Sequence, residues 1–214
     1  KHKIAQKDTA PYLLFVGSAM PFDELGALHT IESILAKDGT SPSDLRIIYR
    51  PHPWQQKRRV NAVFRSEDFL YTELDPQIAA AYSGGMRPET TDASFQPDLA
   101  YYPQLLRQAQ LVVGPLTTML FEAMLCLKPV VALAYSDGTH YTTTRRYFSH
   151  FDGLEQAPGF AFCEDPDELG TMIHNALKTN TIEAKESDEI SSHYLFRDDV
   201  AYSQRLANLI DALT

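Results

Sequence analysis

Two short segments of this chain hold residue types that grip phosphate. In Leu111-Val-Val-Gly-Pro-Leu-Thr-Thr-Met-Leu-Phe-Glu122, an apolar run meets Gly114 and Pro115, then Thr117 and Thr118, then an acid. A helix beginning at the threonines would leave its first N–H groups without intrahelical partners, and its dipole would favour an anion there. The two hydroxyls add donors. Glu122 lies one helical turn further on, within reach of a sugar hydroxyl on the same ligand. The second segment is Arg50-Pro-His-Pro53. Its prolines stiffen the backbone, and Arg50 and His52 both donate to phosphate oxygens, the arginine in bidentate fashion. Two weaker segments complete the set. Gly17-Ser18 offers a glycine over which a phosphate can approach the backbone. Asp137-Gly-Thr-His140 offers His140 for proton transfer, with no partner suggested by its spacing.

Other chemistries find less support. No Cys/His spacing suggests zinc, and no obligatory metal is expected. No nucleophile-elbow pattern is present. A net charge of −9 argues against a general nucleic-acid binder. The three-residue basic cluster Lys57-Arg58-Arg59 reads as a solvated face. Cys126 and Cys163 sit in apolar surroundings far apart in sequence and read as reduced thiols, which fits a cytoplasmic chain. No apolar run approaches a membrane span, so no transmembrane segment is expected. The chain starts at Lys1 rather than Met, as a fragment of a longer protein or a processed or trimmed N-terminus would.

The elements that must position these residues follow from hydrophobic pattern. Tyr12-Leu-Leu-Phe-Val16 is a continuous apolar run ending at Gly17, as in a strand buried on both faces. Asp23 and Glu24 suit the first turn of a helix, which Leu25, Leu28, Ile31, Ile34 and Leu35 continue at helical spacing. Leu45 to Tyr49 is the next strand. Short strands are expected at 61–65 and at Phe69–Tyr71, and a long loop from Tyr82 to Pro97. A helix opens at Asp98 and runs through Leu105, Leu106 and Ala109. The strand from Leu111 is expected to end in a tight turn holding Gly114, Pro115, Thr117 and Thr118, followed by a helix and a strand to Ala134. After an irregular stretch to Gly159, Phe160–Cys163 is a strand, and Asp165-Pro166 starts a helix with an N-cap and a first-position proline. Residues 179–198 form a polar linker and 199–214 a terminal helix. Alternating strands and helices predict one α/β domain over residues 1–214 with a doubly wound, mainly parallel sheet. All four polar segments then fall at strand C-termini, where ligands of such sheets bind.

The segment from Leu111 to Ala134 resembles the C-terminal nucleotide-binding half of GT-B glycosyltransferases, and the related UDP-N-acetylglucosamine 2-epimerases and CDP-glycerol glycerophosphotransferases. Those families share a strand, a small-residue turn, a helix with an acid, then Lys-Pro and an apolar strand; here Lys128-Pro129 stands in the last position. The turn carries Leu116-Thr117-Thr118 where relatives often have Ser-Gly-Gly or Ser-Ser. Arg50-Pro-His-Pro53 is similar to the Arg-x-His-Pro of glycerophosphotransferases and capsule-type transferases. The resemblance covers roughly residues 12–178. It implies a Rossmann-like half of a GT-B fold, with the Gly114–Thr118 turn on a diphosphate and Glu122 on a ribose. It further implies a glycosyl or polyol-phosphate transferase using a nucleotide-diphospho sugar or polyol as donor. A glycan or lipid-linked acceptor, an N-terminal GT-B half as partner, and a place at the inner membrane face in surface-polysaccharide synthesis go with that reading. A nucleotide-sugar 2-epimerase and a non-catalytic nucleotide-binding domain are the alternatives.

Overall fold

The computed structural model describes residues 11–52, 64–82, 100–140 and 148–179, together with 203, 204, 208, 210 and 211. Six strands form one sheet: β1 (Tyr12–Val16), β2 (Arg46–Arg50), β3 (Thr72–Leu74), β4 (Leu111–Pro115), β5 (Val130–Leu133) and β6 (Phe160–Cys163). They lie in the order β3-β2-β1-β4-β5-β6, and every neighbouring pair is parallel. Among the described residues five α-helices accompany them: α1 (Glu24–Lys37), α2 (Pro76–Tyr82), α3 (Tyr101–Gln108), α4 (Thr118–Leu125) and α5 (Leu169–Thr179).

The apolar runs are strands because both faces of the sheet are covered. Leu13 and Phe15 point to one face, where Leu28, Ile31 and Leu35 of α1 and Leu169 and Ile173 of α5 pack. Leu14 and Val16 point to the other, against Leu105 and Leu106 of α3 and Leu120 and Met124 of α4. This is the doubly wound sheet that the alternation predicts. The chain builds outward from β1 to β3, then returns to lay β4 on the other flank of β1. The strand order therefore reverses between β1 and β4, and a crevice opens beyond their carboxyl ends.

Several local expectations are corrected. The outer strand falls at Thr72–Leu74, not Phe69–Tyr71, and Phe64 and Arg65 are not in a strand; a 3-10 turn occupies Ser66–Asp68. Helix α2 was not anticipated; Asp75 caps it, accepting from the Gln77 N–H at 2.9 Å. Strand β4 continues through the expected turn, with Gly114 paired to Ala132 and Pro115 to Leu133. Gly114 is needed there for packing. A Cβ on it would lie 2.1 Å from the Val16 carbonyl oxygen, so only glycine lets β4 come this close to the end of β1. Pro53, the 57–59 cluster, most of the 82–97 loop and the linker beyond Thr179 lie outside the described residues. Residues 203, 204, 208, 210 and 211 are helical.

Candidate functional site

A cleft of about 630 Å³ opens at the carboxyl ends of β1, β2 and β4. Gly17 forms its edge beyond β1, and Arg50, Pro51 and His52 come from the end of β2. Helix α3 contributes Tyr102 and Pro103; α4 contributes Met119 and Glu122, with Thr117 and Thr118 at its start. Residues from four elements thus converge on one space, which the reversal of strand order at β1 creates.

The start of α4 opens onto the cleft. Thr117 holds the N-cap position in an extended conformation (φ −145°, ψ 149°), yet its side chain makes no capping hydrogen bond. The ordinary capping role of such a threonine is therefore unused, and Thr117 lines the cleft together with Thr118. The Leu120 N–H closes the first turn on the Thr117 carbonyl at 3.0 Å. Glu122 follows one turn later on the outer side of α4. It is exposed, and partial burial against the cleft still raises its carboxyl above the ordinary value.

Arg50 lies in the cleft wall but is already engaged. It is buried, and its Nη1 pairs with the Asp75 carboxylate while Nη2 donates to the Tyr102 hydroxyl. The guanidinium carbon lies 4.0 Å from the centre of the Tyr102 ring, within cation–π range. Asp75 in turn accepts from the Tyr101 hydroxyl at 2.8 Å. Burial, then the neighbouring Asp75 charge and hydrogen bond, push the Tyr101 hydroxyl far up, so it remains a donor across the working pH range. This network pins the first turn of α3 to the ends of β2 and β3.

Gly17 and Ser18 part company. Gly17 lines the cleft, whereas Ser18 is turned inward and buried. Its N–H donates to Glu24 Oε1 at 2.9 Å, and its hydroxyl donates to the Leu116 carbonyl at 3.3 Å while accepting from the Met20 N–H at 3.0 Å. Ser18 thus ties the β1 turn to the β4 turn. Glu24, which the sequence suggests as a dipole-favoured helix-start acid, is fully buried and also accepts from the Tyr49 hydroxyl at 2.6 Å. A Cβ at Gly17 would meet Glu24 Oε2 and the His52 backbone nitrogen, each at 2.7 Å. Gly114 lies in the β4 strand beneath the cleft, not on its lining.

His140 has a partner after all. Its Nδ1 lies 2.6 Å from Asp137 Oδ2. Asp137 also accepts from the backbone N–H groups of His140 (2.7 Å), Thr139 (2.9 Å) and Asp23 (2.8 Å). Burial pushes the Asp137 carboxyl up, but these hydrogen bonds outweigh it and hold the group below the ordinary carboxylate value. The pair sits beyond β5, tied to the start of α1, and does not line the cleft.

Asp75, Tyr101, Tyr102 and Met119 are site residues that sequence reasoning missed. Asp75-Pro76 has the same cap-and-proline signature that identifies Asp165-Pro166, where the Asp165 side chain accepts from the Asp167 N–H at 2.9 Å. The Tyr101-Tyr102-Pro103 run at a helix start was the other available signal. Among the described residues no cluster of three or more His, Cys, Asp or Glu side chains could hold a metal ion, and no helix is long and apolar enough to cross a membrane. Both cysteines are free; Cys163 is buried and Cys126 half-buried.

No family model matches the chain, and no curated protein sequence matches it. Among solved structures it is similar to a UDP-GlcNAc 2-epimerase of Methanocaldococcus jannaschii in complex with UDP-GlcNAc and UDP (TM-score 0.45, 14% identity, 89% of this chain and 47% of that one). It is also similar to an E. coli heptosyltransferase with ADP (TM-score 0.42, 16% identity, 82% of this chain and 46% of that one). A third is an α,α-trehalose-phosphate synthase of Burkholderia xenovorans in complex with glucose-6-phosphate (TM-score 0.47, 11% identity, 85% of this chain and 38% of that one). The chain spans less than half the length of each.

Proposed function

We propose that this domain binds a nucleotide-diphospho donor and serves a glycosyl or polyol-phosphate transferase of surface-polysaccharide synthesis. One observation carries the reading: Gly17, Arg50, His52, Thr117, Thr118 and Glu122 line a single cleft at the strand-order reversal. In this reading the diphosphate sits against the open first turn of α4, with the Thr117 and Thr118 hydroxyls and His52 as further donors. Glu122 accepts from the ribose. As the donor bond breaks, negative charge grows on the departing phosphate oxygen. Donors already fixed in place stabilise that charge without having to reorganise. The acceptor and its base belong to a second GT-B half, and no metal is needed for leaving-group departure. The role in polysaccharide synthesis rests on the resemblance of the Leu111–Ala134 and Arg50–Pro53 segments.

The test is isothermal titration of UDP, CDP and GDP against their nucleosides. The expected outcome is measurable binding of at least one diphosphate and a much weaker response to its nucleoside. Equal or absent heats throughout would sink the proposal.

A further inference from the structure

The positive charge of the cleft is neutralised from behind. Arg50 is the one arginine or lysine among the described residues that line the cleft. Its guanidinium is only 3% exposed, and the Asp75 carboxylate paired with it is 0% exposed. Asp75 is itself held by the Tyr101 hydroxyl at 2.8 Å and the Gln77 N–H at 2.9 Å, so it cannot swing away. A guanidinium removed from water attracts any anion within reach, because the surrounding medium screens it poorly. A fixed carboxylate in contact with that guanidinium cancels most of the attraction felt by a second anion. What the pair then presents to the cleft is closer to a dipole than to a charge.

We propose that Asp75 is a specificity-determining residue, an internal counter-ion that withholds the charge of Arg50 from small free anions. A ligand must then earn its place through the N–H groups of α4, the threonine hydroxyls and Glu122, not through phosphate charge alone. The same cancellation weakens the grip on a diphosphate once it has parted from the transferred group. The charge cancellation follows from the Arg50–Asp75 geometry alone; its use in donor selection and product release rests on the function proposed above.

Binding of inorganic pyrophosphate to the wild-type chain and to Asp75→Asn, at fixed ionic strength, tests the idea. The variant is expected to bind pyrophosphate at least ten-fold more tightly, and to gain more thermal stability from it than the wild type does. Asp75→Glu, which keeps the negative charge, should respond like the wild type. The double variant Arg50→Met/Asp75→Asn should lose the gain. Equal or weaker pyrophosphate binding by Asp75→Asn overturns the proposal. If Asp75→Asn does not fold in buffer, pyrophosphate must restore its circular dichroism where chloride of matched ionic strength fails; recovery indifferent to the anion is equally fatal. Pyrophosphate carries no nucleoside, so this outcome is separate from the UDP, CDP and GDP titrations. A gain in pyrophosphate affinity beside absent nucleotide binding would sink the donor reading and leave the counter-ion role standing.

Discussion

Ionised Glu122 is a charged, acceptor-only group, and protonation weakens its bond to a ribose hydroxyl, which gives the proposed ribose contact two signatures. Glu122→Ala should weaken nucleoside diphosphate binding by roughly 1.5–3 kcal/mol, the range for hydrogen bonds to a charged group. Its urea midpoint should hardly move, since exposed Glu and Ala differ little in helix propensity. Because burial raises this carboxyl, nucleotide affinity should fall on acidification at a higher pH than an ordinary glutamate would allow. The stability effect has the opposite sign. A carboxyl raised in the folded state holds its proton more tightly there, so its contribution is fully present below the unfolded value and lost as pH rises through the folded one. Titration calorimetry of the unsubstituted chain and Glu122→Ala across pH 4–7 (the carboxylate range and above) checks both signatures; affinity unchanged by Glu122→Ala would make the residue a bystander. The residue types at the strand ends were legible in the sequence: Thr117, Thr118, His52 and Glu122 all reach the cleft. Their prior commitments were not. Arg50 is answered by Asp75 and the Ser18 hydroxyl by the Leu116 carbonyl, and such buried pairings depend on groups brought together by the sheet, not on spacing along the chain.

Helix α4 ends on a strained residue. Leu127 has φ +60°, a left-handed conformation that glycine adopts freely and a leucine does not. The Lys128 N–H bonds the Ala123 carbonyl at 3.1 Å and the Leu127 N–H bonds that of Met124 at 2.9 Å, so the geometry is a helix-terminating motif that favours glycine. Leu127→Gly should raise stability by about 0.5–1 kcal/mol, read as a higher urea midpoint at unchanged slope. A loss of stability would mean that packing of the half-buried Leu127 side chain outweighs its backbone strain. Gly114→Ala tests the neighbouring strand. With a Cβ placed 2.1 Å from a backbone oxygen, β4 must move away from β1, at a cost of about 1–3 kcal/mol or more. Chemical denaturation measures it, and a neutral result would show that the strand ends separate easily. At this scale the long apolar runs, the acids at Asp23 and Glu24 and the Asp165 cap announced their elements. Strand β3 did not, because Thr72-Glu73-Leu74 lies at the sheet edge and carries no apolar run. Gly114 looked like a turn residue because the Val16 carbonyl that demands a glycine lies almost a hundred residues earlier.

For the molecule as a whole, binding and transfer should separate. In the proposed reading the cleft supplies the contacts for phosphate and ribose, while the Asp137–His140 pair stands beyond β5 and off the cleft lining. Transfer needs donor and acceptor held together away from water. The chain alone is therefore expected to bind donor nucleotide and transfer nothing, measured by donor-hydrolysis and transfer assays on the purified protein. Robust turnover would overturn this division and bring His140 forward as the base. The doubly wound sheet was legible from alternation of element types; which helices share a face, and hence where the cleft opens, emerged only from the way alternate residues of β1 and β4 divide between two cores.

The position of β1 between β2 and β4 also sets an order of events during synthesis. The ribosome delivers β1, β2 and β3 long before Leu111, and in that interval one edge of β1 has no neighbour and Leu14 and Val16 lack the cover of Leu120 and Met124 from α4. Pairings so distant in sequence form late. A nascent chain stalled before residue 111 should thus present a sticky, half-built sheet to chaperones, and release that burden only when β4 and α4 have emerged.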